Sequence, residues 1–271
     1  MYEIQERVRY SEVTEKGEMS LYSVVNLLQD CSTFHSHDVG MSIEALQEKQ
    51  KAWLLSAWNI ELYALPKLYE KLAIGTSPHD FRGIFAYRNF WVQNEARDFY
   101  VKADSEWFCF DLEKGRPAKI TEEMIAPFKE REDVLKLPPL QRKISFPEEY
   151  LEGEAIPVVR DFLDTNHHMN NAKYIALAEE AIFQCTGKPA IFFEEETGEE
   201  NAGKNEAGTE KKDRKVHRVF YSIRAEYVKA YTLGDSIFPR LAPEEGRTVV
   251  AFYNQNKELC CHVEIRKNSN A

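Results

Sequence analysis

Apolar residues recur at helical spacing in two segments that lie about 150 residues apart in the chain. The segments are residues 21–37 and 172–185, and each follows a stretch with an extended pattern, residues 2–13 and 156–163. The apolar sides are formed by Val24, Val25, Leu28 and Phe34 in the first segment and by Ile175, Ala178, Ile182 and Phe183 in the second. This periodicity predicts two amphipathic helices, each preceded by a strand.

After each helical segment the sequence becomes rich in β-branched and aromatic residues. These stretches are residues 52–63, 69–76, 82–93 and 98–111 in the first half, and residues 216–229, 235–241, 247–255 and 258–266 in the second. The same order of elements in both halves indicates an internal repeat. We therefore expect an α+β fold in which each half packs one long helix against an antiparallel sheet.

Two segments interrupt this repeat. Residues 126–148 contain four prolines, including the adjacent Pro138 and Pro139, which exclude a continuous helix or an inner strand. We place a first domain at residues 1–130, a linker at 131–148 and a second domain at 149–271. Residues 194–215 consist mainly of Glu, Gly, Lys and Asn, and this composition predicts a flexible insertion.

Charge and composition narrow the possible functions. The formal net charge is −10, which disfavours binding to nucleic acid or to an anionic membrane. No apolar run approaches the roughly 20 residues needed to span a bilayer, and the N-terminus lacks the pattern of a secretory signal. The five cysteines are scattered, with no metal-binding spacing. We expect a cytoplasmic protein with reduced thiols.

The densest polar cluster is residues 164–171, which read DTNHHMNN at the junction between a predicted strand and the second helix. The start of a helix presents free backbone N–H groups and a positive dipole end, which can stabilise the oxyanion formed when an ester or thioester is attacked. A purely structural explanation stays open, in which Asn170 or Asn171 caps the helix and Asp164 caps a turn. At the matching positions the first half has Lys16 and Glu18.

This cluster resembles a motif of the plant and bacterial acyl-acyl-carrier-protein (acyl-ACP) thioesterases, D-x-N-x-H-x-N-N-x-x-Y. The matching residues are Asp164, Asn166, His168, Asn170, Asn171 and Tyr174. The resemblance extends over nearly the whole chain, including the stretches LLQDCSTFHSHDVG, AWLLSAWNIEL and SEWFCFDLEKGRPAKI. It implies a tandem (double) hotdog fold, in which the first half shelters the acyl chain and the second half holds the catalytic groups. It also implies hydrolysis of fatty acyl-ACP without a metal or organic cofactor.

The chemistry of the side chains assigns provisional catalytic roles. His168 is the expected general base, because an imidazole titrates near neutral pH. Asn166 orients water or the thioester oxygen, and Asp164 orients these groups or activates water. The family commonly has a catalytic Glu where this chain has Ala230. Glu226 lies on the same predicted strand, and we count it as a fourth candidate catalytic residue.

Several alternatives remain open from sequence alone. An acyl-CoA thioesterase would use the same scaffold, and Ala230 is compatible with a non-catalytic acyl-binding protein. Glu179 and Glu180 occupy helix positions where some hotdog thioesterases carry a carboxylate, although an exposed helix face explains them more simply. His35, His37 and Asp38 form an H-x-H-D pattern without a visible third ligand set. The expected partner is acyl carrier protein, with the chain as a monomer or homodimer.

Overall fold

The computed structural model describes residues 1–128, 135, 137–193 and 219–269 of the chain. The predicted insertion at residues 194–215 lies outside these ranges, as do residues 131–134 and 136 of the proposed linker at 131–148. The boundaries of the two domains therefore stay predictions. No helix in the described ranges is long and apolar enough to cross a bilayer.

The first half contains strands and helices in the predicted order. They are β1 (Tyr2–Arg7), α1 (Leu21–Asp38), α2 (Ile43–Glu48), β2 (Lys51–Leu62), β3 (Lys71–Arg82), β4 (Phe85–Gln93), β5 (Phe99–Asp111), β6 (Arg116–Pro117) and α3 (Glu122–Ile125). The short helices α2 and α3 were not predicted, because four to six residues carry too little periodicity to be recognised. The long helix and the four long strands after it confirm the predicted pattern.

The second half repeats this arrangement. Its elements are β7 (Leu151–Glu152), β8 (Ile156–Pro157), α4 (Asn171–Thr186), β9 (Val219–Tyr227), β10 (Ser236–Glu244), β11 (Arg247–Tyr253) and β12 (Leu259–Ser269). The prediction of a strand over residues 156–163 was wrong beyond Pro157. A turn of 3₁₀ helix at Arg160–Phe162 takes its place, as a similar turn at Tyr10–Glu12 does in the first half.

All the described strands join one antiparallel sheet. Its main order is β1-β3-β4-β5-β2-β9-β12-β11-β10-β7, with β6 beside β5 and β8 beside β10. The two halves meet where β2 pairs with β9, so that Trp58 lies opposite Ala225 and Ile60 lies opposite Ile223. Because β2 and β9 share backbone hydrogen bonds, the two halves form a continuous sheet.

The two long helices supply the centre of the core. Val24 and Leu28 of α1, and Ile175 and Ala178 of α4, are fully buried. Burial of such side chains is worth roughly 1.5–3 kcal/mol each for the larger ones. Two residues that were predicted to lie on the apolar sides of the helices are not buried: Phe34 is 47% exposed and Phe183 is 53% exposed. Both lie near the C-terminal end of their helix, and Phe183 is exposed although the preceding Ile182 is buried.

The segment before β7 lies against the second half of the sheet. Arg224 donates to the backbone oxygen of Lys143 at 2.8 Å, and Arg247 donates to the backbone oxygen of Ser145 at 2.9 Å. Both arginines also contact Glu264, which is 2% exposed. These contacts compensate the buried carboxylate and hold residues 143–145 on the sheet.

Candidate active site at the start of helix α4

The turn that precedes α4 is organised by Asp164. Its Oδ1 accepts hydrogen bonds from the backbone N–H of Asn166 at 2.8 Å and of His168 at 3.3 Å. The backbone of Asp164 also donates to the His168 carbonyl oxygen at 2.8 Å. His167 has a φ of 61°, in the left-handed region that this tight turn requires. Asp164 therefore fixes the backbone on both sides of Asn166 and His168.

The first half contains the same turn without the same side chains. Thr14 donates through its backbone N–H to the Glu18 carbonyl oxygen at 2.8 Å, and Gly17 has a φ of 72°. Lys16 and Glu18 thus occupy the places of Asn166 and His168. The backbone geometry belongs to the repeat, whereas the Asn and His side chains are specific to the second half.

Asn170 caps α4. Its Oδ1 accepts from the Ala172 N–H at 2.8 Å and also from Nε2 of Gln29 at 3.3 Å. In return, Oε1 of Gln29 accepts from Nδ2 of Asn171 at 3.2 Å. The structural explanation proposed for Asn170 is therefore confirmed, and Gln29 of α1 reaches across from the other half to support the cap.

Three tyrosines fix the other side of the site. Tyr174, the last residue of the motif, is 2% exposed, and its hydroxyl accepts from the Tyr231 N–H at 3.2 Å. Tyr227 donates through its hydroxyl to the Asn171 carbonyl oxygen at 2.9 Å, and its ring meets that of Tyr174 edge-on. The backbone of Met169 donates to the Tyr231 carbonyl oxygen at 2.9 Å. Tyr174 is thus a positioning residue that ties the end of β9 to α4.

A cavity of about 410 Å³ opens beside this turn and is lined by both halves of the chain. From the second half come Asp164, Asn166 and His168, together with Ala230. The first half contributes aromatic and apolar side chains, including Met41, Leu46, Trp53, Phe81, Trp107 and Phe128. It also contributes polar ones, including Asn26, Gln29, Asp30, Ser36, Lys51 and Arg88. A cavity with a mainly apolar surface and polar groups on parts of its wall is typical of a site for a small ligand with an apolar portion.

The side chains of Asn166 and His168 are half-buried. The described residues provide no hydrogen-bond partner for either side chain, whereas both backbones are held by Asp164. Their polar atoms are therefore available to a ligand in the cavity. The carboxylates among the described lining residues are Asp30 and Asp164, and Ala230 contributes none. Sequence reasoning missed Asp30 and Gln29, because nothing in the α1 sequence marks the side of the helix that meets the other half.

Glu226, the fourth candidate, is not brought together with the other three. Its carboxylate accepts from the Ile144 N–H at 3.0 Å and contacts Nζ of Lys143 at 3.0 Å. Burial raises the pKa of Glu226, but the Ile144 N–H and Lys143 outweigh burial and lower it overall. Neighbouring Tyr227 lines the cavity, and alternate residues of a strand point to opposite faces of the sheet. Glu226 therefore faces the linker.

Glu179 is not among the residues that line the cavity. Burial raises its pKa to about 7. In the repeat it occupies the position of Gln29, which is 150 residues earlier. Glu180 is exposed and accepts a hydrogen bond from Gln184. Neither carboxylate joins Asn166 and His168.

Fold and site together define a tandem hotdog protein with one polar site at the start of its second long helix. Solved structures share this fold. A putative oleoyl thioesterase from Lactobacillus plantarum has a TM-score of 0.76 and 21% identity, covering 100% of this chain and 96% of that one. The 12:0-ACP thioesterase from Umbellularia californica has a TM-score of 0.76 and 14% identity, covering 99% and 97%. The predicted tandem hotdog class is confirmed.

Sequence comparison finds a family match in the first half and related proteins of known name. Residues 1–128 match the family described as acyl-ACP thioesterase N-terminal domain. The chain is 25% identical over 200 residues to oleoyl-acyl carrier protein thioesterase 2, chloroplastic, of Arabidopsis thaliana, covering 65% of this chain and 53% of the relative. The corresponding protein of Coriandrum sativum is 25% identical over 197 residues, covering 65% and 52%.

These findings confirm the resemblance to the acyl-ACP thioesterases, whose N-terminal domain family matches residues 1–128. The chain spans about half the length of the curated relatives it matches.

Proposed function

We propose that this protein hydrolyses fatty acyl-ACP thioesters to a free fatty acid and holo-ACP. The observation that carries the proposal is the turn at residues 164–168, which presents Asn166 and His168 to a cavity lined mainly by apolar groups. The similarity to acyl-ACP thioesterases supports the choice of substrate. An acyl chain would occupy the apolar part of the cavity, with its thioester beside the turn.

In the proposed reaction His168 accepts a proton from water as the water oxygen bonds to the thioester carbon. The carbonyl oxygen becomes an oxyanion, which Asn166 and the N-terminal end of α4 stabilise. The C–S bond then breaks, and His168 returns the proton to the leaving thiolate. Asp164 holds the backbone of both residues, and its carboxylate helps to activate the water. Glu226 has no part in this mechanism.

A non-catalytic acyl-binding protein is the second candidate, and Ala230 is the observation in its favour. Ala230 lines the cavity where the resembling family commonly carries a catalytic Glu. An enzyme that lacks this group must activate water through His168 and Asp164. The acyl-binding alternative predicts that acyl chains bind without any turnover.

Acyl carrier protein is the proposed partner, and an acyl-CoA thioester is the alternative substrate on the same scaffold. A cytoplasmic location and a monomeric or homodimeric state also stay proposals. So does the division into domains at residues 1–130 and 149–271, with a linker between them. Comparison of ACP, CoA and pantetheine thioesters with the same acyl chain distinguishes the substrates by kcat/KM.

The decisive experiment is hydrolysis of a panel of acyl-ACP substrates by the wild type and by His168→Ala and Asn166→Ala. Loss of general base catalysis lowers kcat by about 10²–10⁴-fold. His167→Asn is the matched control, because His167 is an exposed neighbour that does not line the cavity and Asn tolerates its positive φ. Equal activity in His168→Ala and the wild type would refute the mechanism. Binding without turnover in the wild type would establish the acyl-binding alternative.

A further inference from the structure

The acyl cavity contains a buried positive charge. Arg88 in β4 lines the cavity and is only 9% exposed. Burial lowers the pKa of Arg88 to about 10, so its guanidinium stays protonated at pH 7. The ring of Phe128 lies against it, with the ring centre 5.5 Å from the guanidinium carbon. A cation in such a place is costly unless a partner compensates it.

The hydrogen-bond partners of Arg88 are neutral. Nη1 donates to Thr76 Oγ1 at 3.1 Å and lies 3.0 Å from Nδ1 of His35. Burial, and then the charge of Arg88, lowers the pKa of His35 to about 4, so His35 is neutral at pH 7 and accepts through Nδ1. Within the described ranges, no carboxylate lies within 4.0 Å of the Arg88 nitrogens. The positive charge is therefore not neutralised there.

Only one nitrogen of the Arg88 guanidinium, Nη1, takes part in hydrogen bonds with the described residues. Both hydrogen bonds involve Nη1, whereas Nε and Nη2 have no hydrogen-bond partner among the described residues. Nε–H and Nη2–H form a planar pair of parallel donors, which matches the two oxygens of a carboxylate. His35 and Thr76 hold Nη1, so this pair is restrained before a ligand binds. Pre-organised donors lose less side-chain entropy on binding.

We propose that Arg88 makes the cavity selective for acyl chains whose distal end carries a carboxylate, that is, monothioesters of α,ω-dicarboxylic acids. The inference rests on the proposed function, because it assumes that the reacting thioester lies at Asn166 and His168 while the rest of the chain occupies the cavity. A terminal carboxylate neutralises the buried cation and satisfies both free donors. A terminal methyl group does neither, and it leaves the guanidinium desolvated.

The test compares pairs of ACP thioesters of equal length, from 6 to 16 carbons, that end in either a methyl group or a carboxylate. In the wild type we expect kcat/KM to favour the carboxylate by about 10-fold to 100-fold at the best-fitting length, as for a hydrogen-bonded charge pair. Arg88→Leu reverses the preference. Arg82→Leu is the control and keeps the wild-type preference, because Arg82 is exposed and paired with Asp80. The same ratio in the wild type and Arg88→Leu would overturn the proposal.

Two additions keep the test decisive. Arg88→Lys keeps the charge without the paired donors, so it should fold even where Arg88→Leu does not, with a reduced carboxylate preference. Calorimetry measures the selectivity without turnover. Its ligands are N-methyl amides of the same acyl chains, ending in either a methyl group or a carboxylate. If no thioester is hydrolysed but the carboxylate amide binds more tightly only with Arg88 present, the proposed function fails, whereas the selectivity of the cavity for a terminal carboxylate stands. Tighter binding of the methyl-ended amide to the wild type would refute it.

Discussion

Gln29 donates a hydrogen bond from Nε2 to Oδ1 of Asn170 at 3.3 Å, so the middle of one long helix supports the first turn of the other. Oε1 of the same amide accepts from Asn171 at 3.2 Å. Asn170 also caps α4, and the residues just before it form the turn with Asn166 and His168. The contact between the halves therefore helps to position the proposed catalytic groups.

Gln29→Leu removes both hydrogen bonds and keeps a similar volume. We expect a loss of about 1–2 kcal/mol in the free energy of unfolding, since each neutral hydrogen bond contributes about 1 kcal/mol. We also expect kcat to fall by about 10-fold, because the start of α4 loses its support. Urea denaturation and steady-state hydrolysis measure the two effects. Gln5→Leu, at an exposed position of β1, is the control. Unchanged kcat in Gln29→Leu would limit Gln29 to a structural role.

Asp164 has two roles that substitution can separate. Asp164→Asn keeps an oxygen that accepts from the N–H groups of Asn166 and His168, but it removes the negative charge. We expect it to preserve Tm within a few degrees and to lower kcat by about 10²-fold or more, because an amide cannot help to activate water as a carboxylate does. Asp164→Ala should lose stability as well, by about 1 kcal/mol.

Thermal unfolding and single-turnover hydrolysis distinguish these outcomes. If Asp164→Asn were as active as the wild type, the role of Asp164 would be confined to the turn.

Groups that lie close together in the sequence could be predicted to share a site, whereas contacts between distant residues could not. Asp164, Asn166 and His168 lie within five residues of one another, so their joint presence at a helix start could be read directly from the sequence. Gln29 could not be found in this way, because it is 141 residues from Asn170 and looks like any polar residue of an amphipathic helix.

Glu226 and Arg88 illustrate a different limit. The sequence places both on strands, but the face of the sheet decides their environment, and a shift of one residue exchanges the faces. Glu226 contacts Ile144, which lies in a segment without a regular helix or strand pattern, so this contact could not be predicted. Arg88 lies among aromatic residues, in a stretch whose composition predicts a buried core, and nothing in the sequence indicates that its side chain lines a cavity.

His167 adopts a backbone conformation that costs a side chain about 1 kcal/mol relative to glycine. The first half already has Gly17 at the equivalent position. We therefore expect His167→Gly to be stabilising or neutral, because relief of strain offsets the entropy gained by the unfolded chain, with activity retained. Gly17→Val is the reciprocal change and should destabilise by about 1–2 kcal/mol, since a β-branched residue tolerates this region poorly. Chemical denaturation checks both, and a stable Gly17→Val would contradict the account.

Glu226→Gln tests the contact between the sheet and residues 143–144. The glutamine keeps an acceptor for the Ile144 N–H but loses the attraction to Lys143. We expect the protein to lose about 1–3 kcal/mol of stability at pH 7, with kcat unchanged at temperatures where it is folded. Because the pKa of Glu226 is lowered in the folded state, this contribution is present above about pH 4.5 and is lost as the pH falls. A large loss of kcat in a folded variant would instead show that Glu226 takes part in catalysis.

Glu179 should produce the opposite pH dependence. Burial raises its pKa from the ordinary 4.5 to about 7, so the folded protein binds a proton more tightly than the unfolded chain does. The folded state is therefore favoured below pH 4.5, and this contribution is lost as the pH rises to about 7. Glu179→Gln replaces the protonated acid with a neutral isostere, so it should be nearly neutral at pH 4.5.

At pH 8 the same substitution should stabilise the protein by about 1–3 kcal/mol, because the wild type must then ionise a half-buried, partly desolvated carboxyl group. The measurement is urea denaturation of the wild type and Glu179→Gln at pH 4.5 and pH 8. Glu180→Gln is the matched control, because its exposed neighbouring carboxylate should change stability little at either pH. If Glu179→Gln has the same effect at both pH values, Glu179 is not desolvated, and the raised pKa is wrong.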